Sequence, residues 1–177
     1  GWVGGSKEGS VLALLPYLEA GWNVVNVEYR LARFAPAPAA VEDCRCALWW
    51  VFLHADEFHF DTARVVVTGG SAGGHLALTT GMLHDGLFDR QCDDPDVLPA
   101  QVAAIVNWYG ITDVNDLLDG PNQRPFAVQW LGLNPDRDRI ARAVSPMNLL
   151  RKDLPPTITI HGDQDPTVPY EQAVRFH

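Results

Sequence analysis

Val65-Val66-Val67-Thr68-Gly69-Gly70-Ser71-Ala72-Gly73-Gly74-His75-Leu76-Ala77 decides the fold. Three consecutive valines bounded by turn signals read as a buried strand, and His75 to Leu83 reads as a helix. Between them lies a tight glycine turn. A serine hydroxyl is a weak nucleophile until a base takes its proton, so it must be presented exposed, next to a histidine and to donors for a developing oxyanion. Gly-x-Ser-x-Gly between strand and helix meets that need. The chain closes up two residues before and two after the serine, where Gly69 and Gly73 bring no side chain to clash. The helix that follows aims free N–H groups and its positive dipole end at the same spot. The competing use of such a turn is a plain helix cap made by Ser71.

Working outward, residues 7–20 place Val11, Leu14, Leu15 and Leu18 at helical spacing and stop at Gly21. Residues 22–29 read as a strand, the proline-rich 35–38 as a loop, and 39–53 as a helix with Val41, Cys44, Leu48, Val51 and Phe52 on its apolar stripe. Residues 102–107 and 157–160 are further apolar strands, residues 111–151 an irregular excursion rich in Asp, Asn and Pro, and Tyr170 begins a last helix. Nearly all-apolar strands alternating with helices indicate a mostly parallel sheet covered by helices on both faces. Such sheets bind their ligands at the carboxyl ends of the strands. Ser71 and Asp165 both follow directly on strand ends.

Composition narrows the function classes. The 177 residues are 47% hydrophobic and 20% charged, the profile of a globular domain. A formal net charge of -9 with no stripe of Lys and Arg argues against nucleic acid. No apolar run reaches the roughly 20 residues that a membrane span requires. No cluster of ligating residues calls for a metal or an organic cofactor. Cys44, Cys46 and Cys92 are too few for a disulfide framework and read as buried or idle thiols. Gly1-Trp2-Val3-Gly4-Gly5 reads like the inside of a loop, so the chain is expected to be an internal segment.

With the nucleophile first, the orienting acid should follow a later strand. Asp165 fits, with Asp163 as its competitor and a backbone-bonding turn residue as the bland role for either. The histidines are His54, His59, His75, His84, His161 and His177. His75 should point away from the serine, His161 should orient its loop, and His177 should sit on the surface, so the base is expected outside this chain.

These residues together resemble the α/β-hydrolase superfamily, and within it the hormone-sensitive-lipase-like and feruloyl-esterase-like carboxylesterases. The matching landmarks run in order: Gly1-Trp2-Val3-Gly4-Gly5-Ser6, Glu28-Tyr29-Arg30-Leu31-Ala32, Gly70 through Ala77, Ser145-Pro146, and His161-Gly162-x-x-Asp165-x-x-Val168-Pro169. The resemblance implies a single partial α/β-hydrolase domain over residues 1–177, truncated at both ends, with 111–151 near the active-site edge. It implies Ser71 as nucleophile, Asp165 as acid, and the Ala72 N–H and, more remotely, Gly1 at the oxyanion hole. It also implies a missing strand between 22–29 and 64–68. The activity implied is hydrolysis of a small, aryl or acetyl ester through an acyl-enzyme, with the isolated segment inactive. A peptidase or amidase on the same fold, and a non-catalytic ligand-binding homologue, are the alternatives.

Overall fold

A computed structural model of the chain describes residues 1–83, 88, 92 and 101–177. Its centre is a three-stranded parallel sheet in the order β1 (Val66–Gly70), β2 (Ala104–Trp108), β3 (Thr157–Ile160). The register pairs Val67 with Ile105 and Ile105 with Thr157, and all three strands end level, at Gly70, Trp108 and Ile160. That shared carboxyl edge receives both turns singled out in the sequence.

Helix α4 (Ala72–Met82) packs across β1 and β2, and α2 (Ala39–Leu53) packs on α4. Alternation along the strands sends Ile105 and Asn107 into this side, both fully buried. The opposite side carries Trp108, Ile158 and Ile160, which stay partly open among the described residues. Two apolar clusters result: one of Leu48, Leu78, Met82, Ile105 and Phe176 beneath the sheet, the other of Trp2, Leu76, Ile111, Trp130 and Val168 beside the first turn of α4.

Four sequence expectations change. Residues 22–29 form no strand. A strand exists only through a neighbour's hydrogen bonds, and 22–29 instead meets residues 1–7 through side chains: Lys7 N–H donates to Glu28 at 2.6 Å and Asn26 donates to the Lys7 carbonyl at 2.7 Å. The helix over 7–20 is present as a 3-10 turn at Glu8–Ser10 followed by α1 (Val11–Glu19), none of whose residues is buried. The stripe of α2 is rotated from its expected position: Arg45 and Trp49 join Val41 and Leu48 inside, while Cys44, Val51 and Phe52 are only half-buried. The excursion is more regular than its composition suggests. It holds α5 (Pro125–Leu131) and α6 (Arg137–Ala143), with Leu117, Trp130, Leu131 and Ala141 fully buried.

The thiols are not all idle either. Cys46 and Cys92, 46 residues apart, form a disulfide with their Cα atoms 5.2 Å apart, and Cys44 remains free with its thiol pushed up to about 12 by burial. Tertiary packing brings Cys46 to Cys92, and no local spacing signals such a pairing. Two short helices, α3 (Ala55–Phe58) and α7 (Glu171–Phe176), complete the described α-helices, and further 3-10 turns lie at Thr62–Arg64, Asn115–Leu117, Gly120–Asn122 and Pro146–Leu149.

Arg45 owes its burial to the end of α4. Its Nη1 donates to the carbonyls of Thr80 at 3.0 Å and Leu83 at 3.4 Å, where a helix leaves acceptors unpaired and the dipole is negative. Arg45→Met keeps the apolar stem but strands those carbonyls. Urea unfolding of the full-length protein is expected to show a loss of about 2–3 kcal/mol; an unchanged midpoint and slope would contradict this role.

Candidate active site

β1 leaves the sheet at Gly70, and Ser71 turns sharply with φ 55° and ψ -120°. Positive φ costs a non-glycine residue of the order of 1–3 kcal/mol and persists only where the surroundings impose it. Here they do. The Ser71 N–H donates to the Trp108 carbonyl at 2.9 Å, pinning the turn to β2, and the Ser71 carbonyl accepts the His75 N–H at 3.1 Å, starting α4. A side chain at Gly69 would run into the Gly73 carbonyl. The Ala72 N–H, at the first position of the helix, has no acceptor within it and is available to an oxyanion. The Ser71 hydroxyl makes no hydrogen bond among the described residues. Ser145, by contrast, is buried with its hydroxyl both donating to Ala141 at 2.7 Å and accepting from Val114 at 2.9 Å, which leaves it a structural role.

Asp165 sits in the loop after β3. Its Oδ1 accepts the N–H groups of Thr167 at 2.8 Å and Val168 at 3.0 Å. Its Oδ2 has His161 Nε2 at 3.5 Å, too long for a good hydrogen bond, so this oxygen keeps room for another donor. Burial alone would raise the carboxyl's pKa. The two N–H donors and His161 outweigh that and hold it below the ordinary value of 3.8. Asp163 is exposed and makes no hydrogen bond among the described residues. Neighbouring strands lie about 4.8 Å apart, so the turns after β1 and β3 stand about 10 Å apart across β2. One imidazole with a hydrogen bond at each end spans about 7–8 Å, enough for that gap once the side chains reach inward.

The described histidines do not fill the gap. His75 is fully buried; its Nε2–H donates to the Val144 carbonyl at 2.8 Å, away from the serine. His161 donates from Nε2 to the Val168 carbonyl at 3.0 Å, bracing the acid turn. His177 meets Thr159 Oγ1 at 2.8 Å, and His54 stacks on Trp50 with ring centroids 4.4 Å apart. His59 caps α3 in a left-handed conformation. His84 lies outside the described residues.

Gly1 is tied to Tyr29, donating from its N to the phenol at 3.3 Å and accepting at its carbonyl at 3.2 Å, and no hydrogen bond links it to Ser71 or Ala72. Its neighbour Trp2 is buried, stacked on Trp130 at 4.0 Å and edge-on to His75 at 4.8 Å. Trp2 and Trp130 are therefore core, whereas Trp108 and Tyr109 are exposed at the sheet's carboxyl edge. Sequence reading did not see what holds the acid loop from behind. The fully buried Gln172 accepts at Oε1 from the N–H groups of Thr112 at 2.9 Å and Asp113 at 2.8 Å, and Arg124 Nε donates to the Thr167 carbonyl at 2.9 Å.

Among the described residues no group of His, Cys, Asp and Glu could hold a metal ion, and no helix is long and apolar enough to cross a membrane.

The family model BD-FAE matches residues 1–177. A curated relative, a probable carboxylic ester hydrolase, LipM, of Mycobacterium tuberculosis, is 32% identical over 181 residues, covering 99% of this chain and 41% of its own length. The esterase LipC of the same organism is 31% identical over 182 residues, covering 99% and 44%. The chain thus spans about two fifths of the length of these relatives. Among solved structures, a thermophilic esterase from Thermogutta terrifontis with propionate bound superposes with a TM-score of 0.73 at 30% identity, over 99% of this chain and 62% of the other. A truncated carbohydrate esterase from gut microbiota gives 0.78 at 28%, over 99% and 67%.

Burial pushes the His75 pKa down to about 4 from an ordinary 6.5, only partly offset by its hydrogen bond to Val144. The unfolded chain therefore takes up this proton first as pH falls. Stability contributed by neutral His75 is whole above pH 6.5 and shrinks by about 3 kcal/mol by pH 4. Unfolding of wild type and His75→Gln at pH 7.5 and 4.5 should show a smaller acid loss in the variant; equal losses would contradict this.

Proposed function

Because the chain belongs to the BD-FAE family of α/β-hydrolase esterases, we propose that the full-length protein is a serine carboxylester hydrolase working through an acyl-enzyme at Ser71. The observation that carries this reading is the Ser71 turn, where a strained serine with a free hydroxyl heads a helix whose first N–H is unpaired. Attack of the Ser71 hydroxyl on an ester carbonyl transfers its proton to an imidazole from a histidine outside these 177 residues. Asp165, its Oδ1 already held by two backbone N–H groups, offers Oδ2 to the far side of that imidazole. The Ala72 N–H takes the oxyanion, joined by a donor from the glycine loop around Gly1. The imidazolium then protonates the departing alcohol, and water, activated by the same base, releases the acid. No metal or organic cofactor takes part in this sequence. Small acetyl or aryl esters are the proposed substrates.

In the full-length protein, an organic fluorophosphonate should label Ser71, and Ser71→Ala should lower kcat on p-nitrophenyl acetate by about 10⁴-fold or more. Ser71→Gly should be as inactive and more stable than Ser71→Ala by about 1 kcal/mol, since glycine accepts the positive φ. Labelling elsewhere, or turnover surviving Ser71→Ala, would overturn the assignment. Matched acetyl esters and amides separate esterase from amidase, because only the leaving group differs.

A further inference from the structure

Asn107 stands where a strand interior disfavours it. Asparagine is depleted in strands, and β2 is the middle strand of the sheet. Its partners across the ladders are Gly69 on β1 and Thr159 on β3, and its side chain meets the first turn of α4. An apolar side chain would fill that place without the cost of burying an amide. At 0% exposure, nothing beyond the residues already packed on it can reach the amide, so its role lies in what it touches. Residues that break a local rule so deep in a core are expected where a site demands them.

Asn107 Nδ2 donates to Thr159 Oγ1 at 3.1 Å, which fixes the plane of the amide against β3. Its Oδ1 then accepts the Gly110 N–H at 2.9 Å, three residues along the chain. That bond folds the backbone back at the carboxyl end of β2, in a turn where Tyr109 takes a φ of 42°. Inside the turn lies Trp108, whose carbonyl accepts the Ser71 N–H at 2.9 Å. The same oxygen also meets the helix. A Cβ on Gly74 would come within 2.5 Å of Asn107 Oδ1 and 2.8 Å of the Gly110 Cα, and one on Gly110 within 2.7 Å of the His75 nitrogen. The His75 N–H closes the first turn of α4 on the Ser71 carbonyl. Both backbone hydrogen bonds of Ser71, at its N–H and at its carbonyl, thus end on groups in or against the Asn107–Gly110 turn.

On the esterase reading above, the Ser71 hydroxyl must meet its base and the ester carbonyl with little freedom. We propose that Asn107 is a positioning residue for the nucleophile: its amide fixes the turn after β2 and, through the Trp108 carbonyl and the first turn of α4, the orientation of Ser71. It touches neither the substrate nor the reacting atoms. Its loss is therefore felt in the rate of attack by Ser71 and not in the binding of what Ser71 attacks.

The test measures fluorophosphonate labelling of Ser71 in the full-length protein, reading the limiting rate at saturating probe and the probe concentration that gives half of it. Asn107→Leu keeps the approximate shape and removes the amide. Thr159→Val keeps the shape of the partner and leaves the amide free to turn. Arg45→Met weakens the far end of α4 without touching the Asn107 turn, so it controls for lost stability alone. At a temperature where each variant is folded, Asn107→Leu should lower the limiting rate at least about tenfold, with the half-saturating concentration within about twofold. Arg45→Met should keep both wild-type values. If Asn107→Leu does not fold, Thr159→Val decides, with a loss of about three- to tenfold expected for one neutral hydrogen bond. A wild-type limiting rate in the deciding variant, a change confined to the half-saturating concentration, or an equal loss in Arg45→Met overturns the proposal. If wild type is not labelled at Ser71 and does not hydrolyse p-nitrophenyl acetate, the esterase reading fails and this proposal with it. Labelled Ser71 with an unchanged rate in the deciding variant sinks the proposal alone.

Discussion

Ser71 holds a backbone conformation that its side chain opposes, and the surrounding chain is arranged to keep it there. The Trp108 carbonyl takes its N–H, the His75 N–H takes its carbonyl, and Gly69 lies so close to the Gly73 backbone that a Cβ on Gly69 would collide with it. The next layer is equally tight: a Cβ on Gly74 would press on the Trp108 carbonyl and the Gly110 Cα. Helix α4 thus sits on the end of β2 with no tolerance, and the hydroxyl it carries is fixed relative to the sheet rather than to a loop. For the proposed nucleophile that rigidity means a fixed position, and a misplacement of about 1 Å can cost a hundredfold in rate.

Asp165, the proposed acid, is fixed by a different logic. Asp165 lies on a loop, and its Oδ1 is committed to the loop's own N–H groups. The loop is braced within itself by His161 to Val168 and anchored from outside by Arg124 to Thr167 and by Gln172 at the start of α7 to the backbone of Thr112 and Asp113. The two anchors from beyond the loop reach the 111–151 excursion. The 111–151 excursion therefore helps to hold the Asp165 loop in place.

Much of this was legible in sequence because it is local. β3 falls where the apolar run 157–160 places it, α2 spans the expected 39–53, and the glycine turn around Ser71 has its expected clash at Gly69, whereas a Cβ on Gly73 would meet open space. What stayed hidden depends on partners distant in the chain. Arg45 reads as a surface cation until the end of α4 is seen above it. Cys46 finds Cys92 only through packing. Residues 22–29 have the composition of a strand but, among the described residues, meet no strand that would make them one.

In the proposed mechanism one carboxylate and one serine address a common imidazole across β2, and Asp165 competes for that role with Asp163 two residues away. The most direct measurement is kcat and KM for Asp165→Asn and Asp163→Asn in the full-length protein. Asp165→Asn should lower kcat by about 10⁴-fold, as loss of the orienting acid does in serine hydrolases, while Asp163→Asn stays within about twofold of wild type, as surface substitutions usually do. The reverse pattern, or an active Asp165→Asn protein, would contradict it.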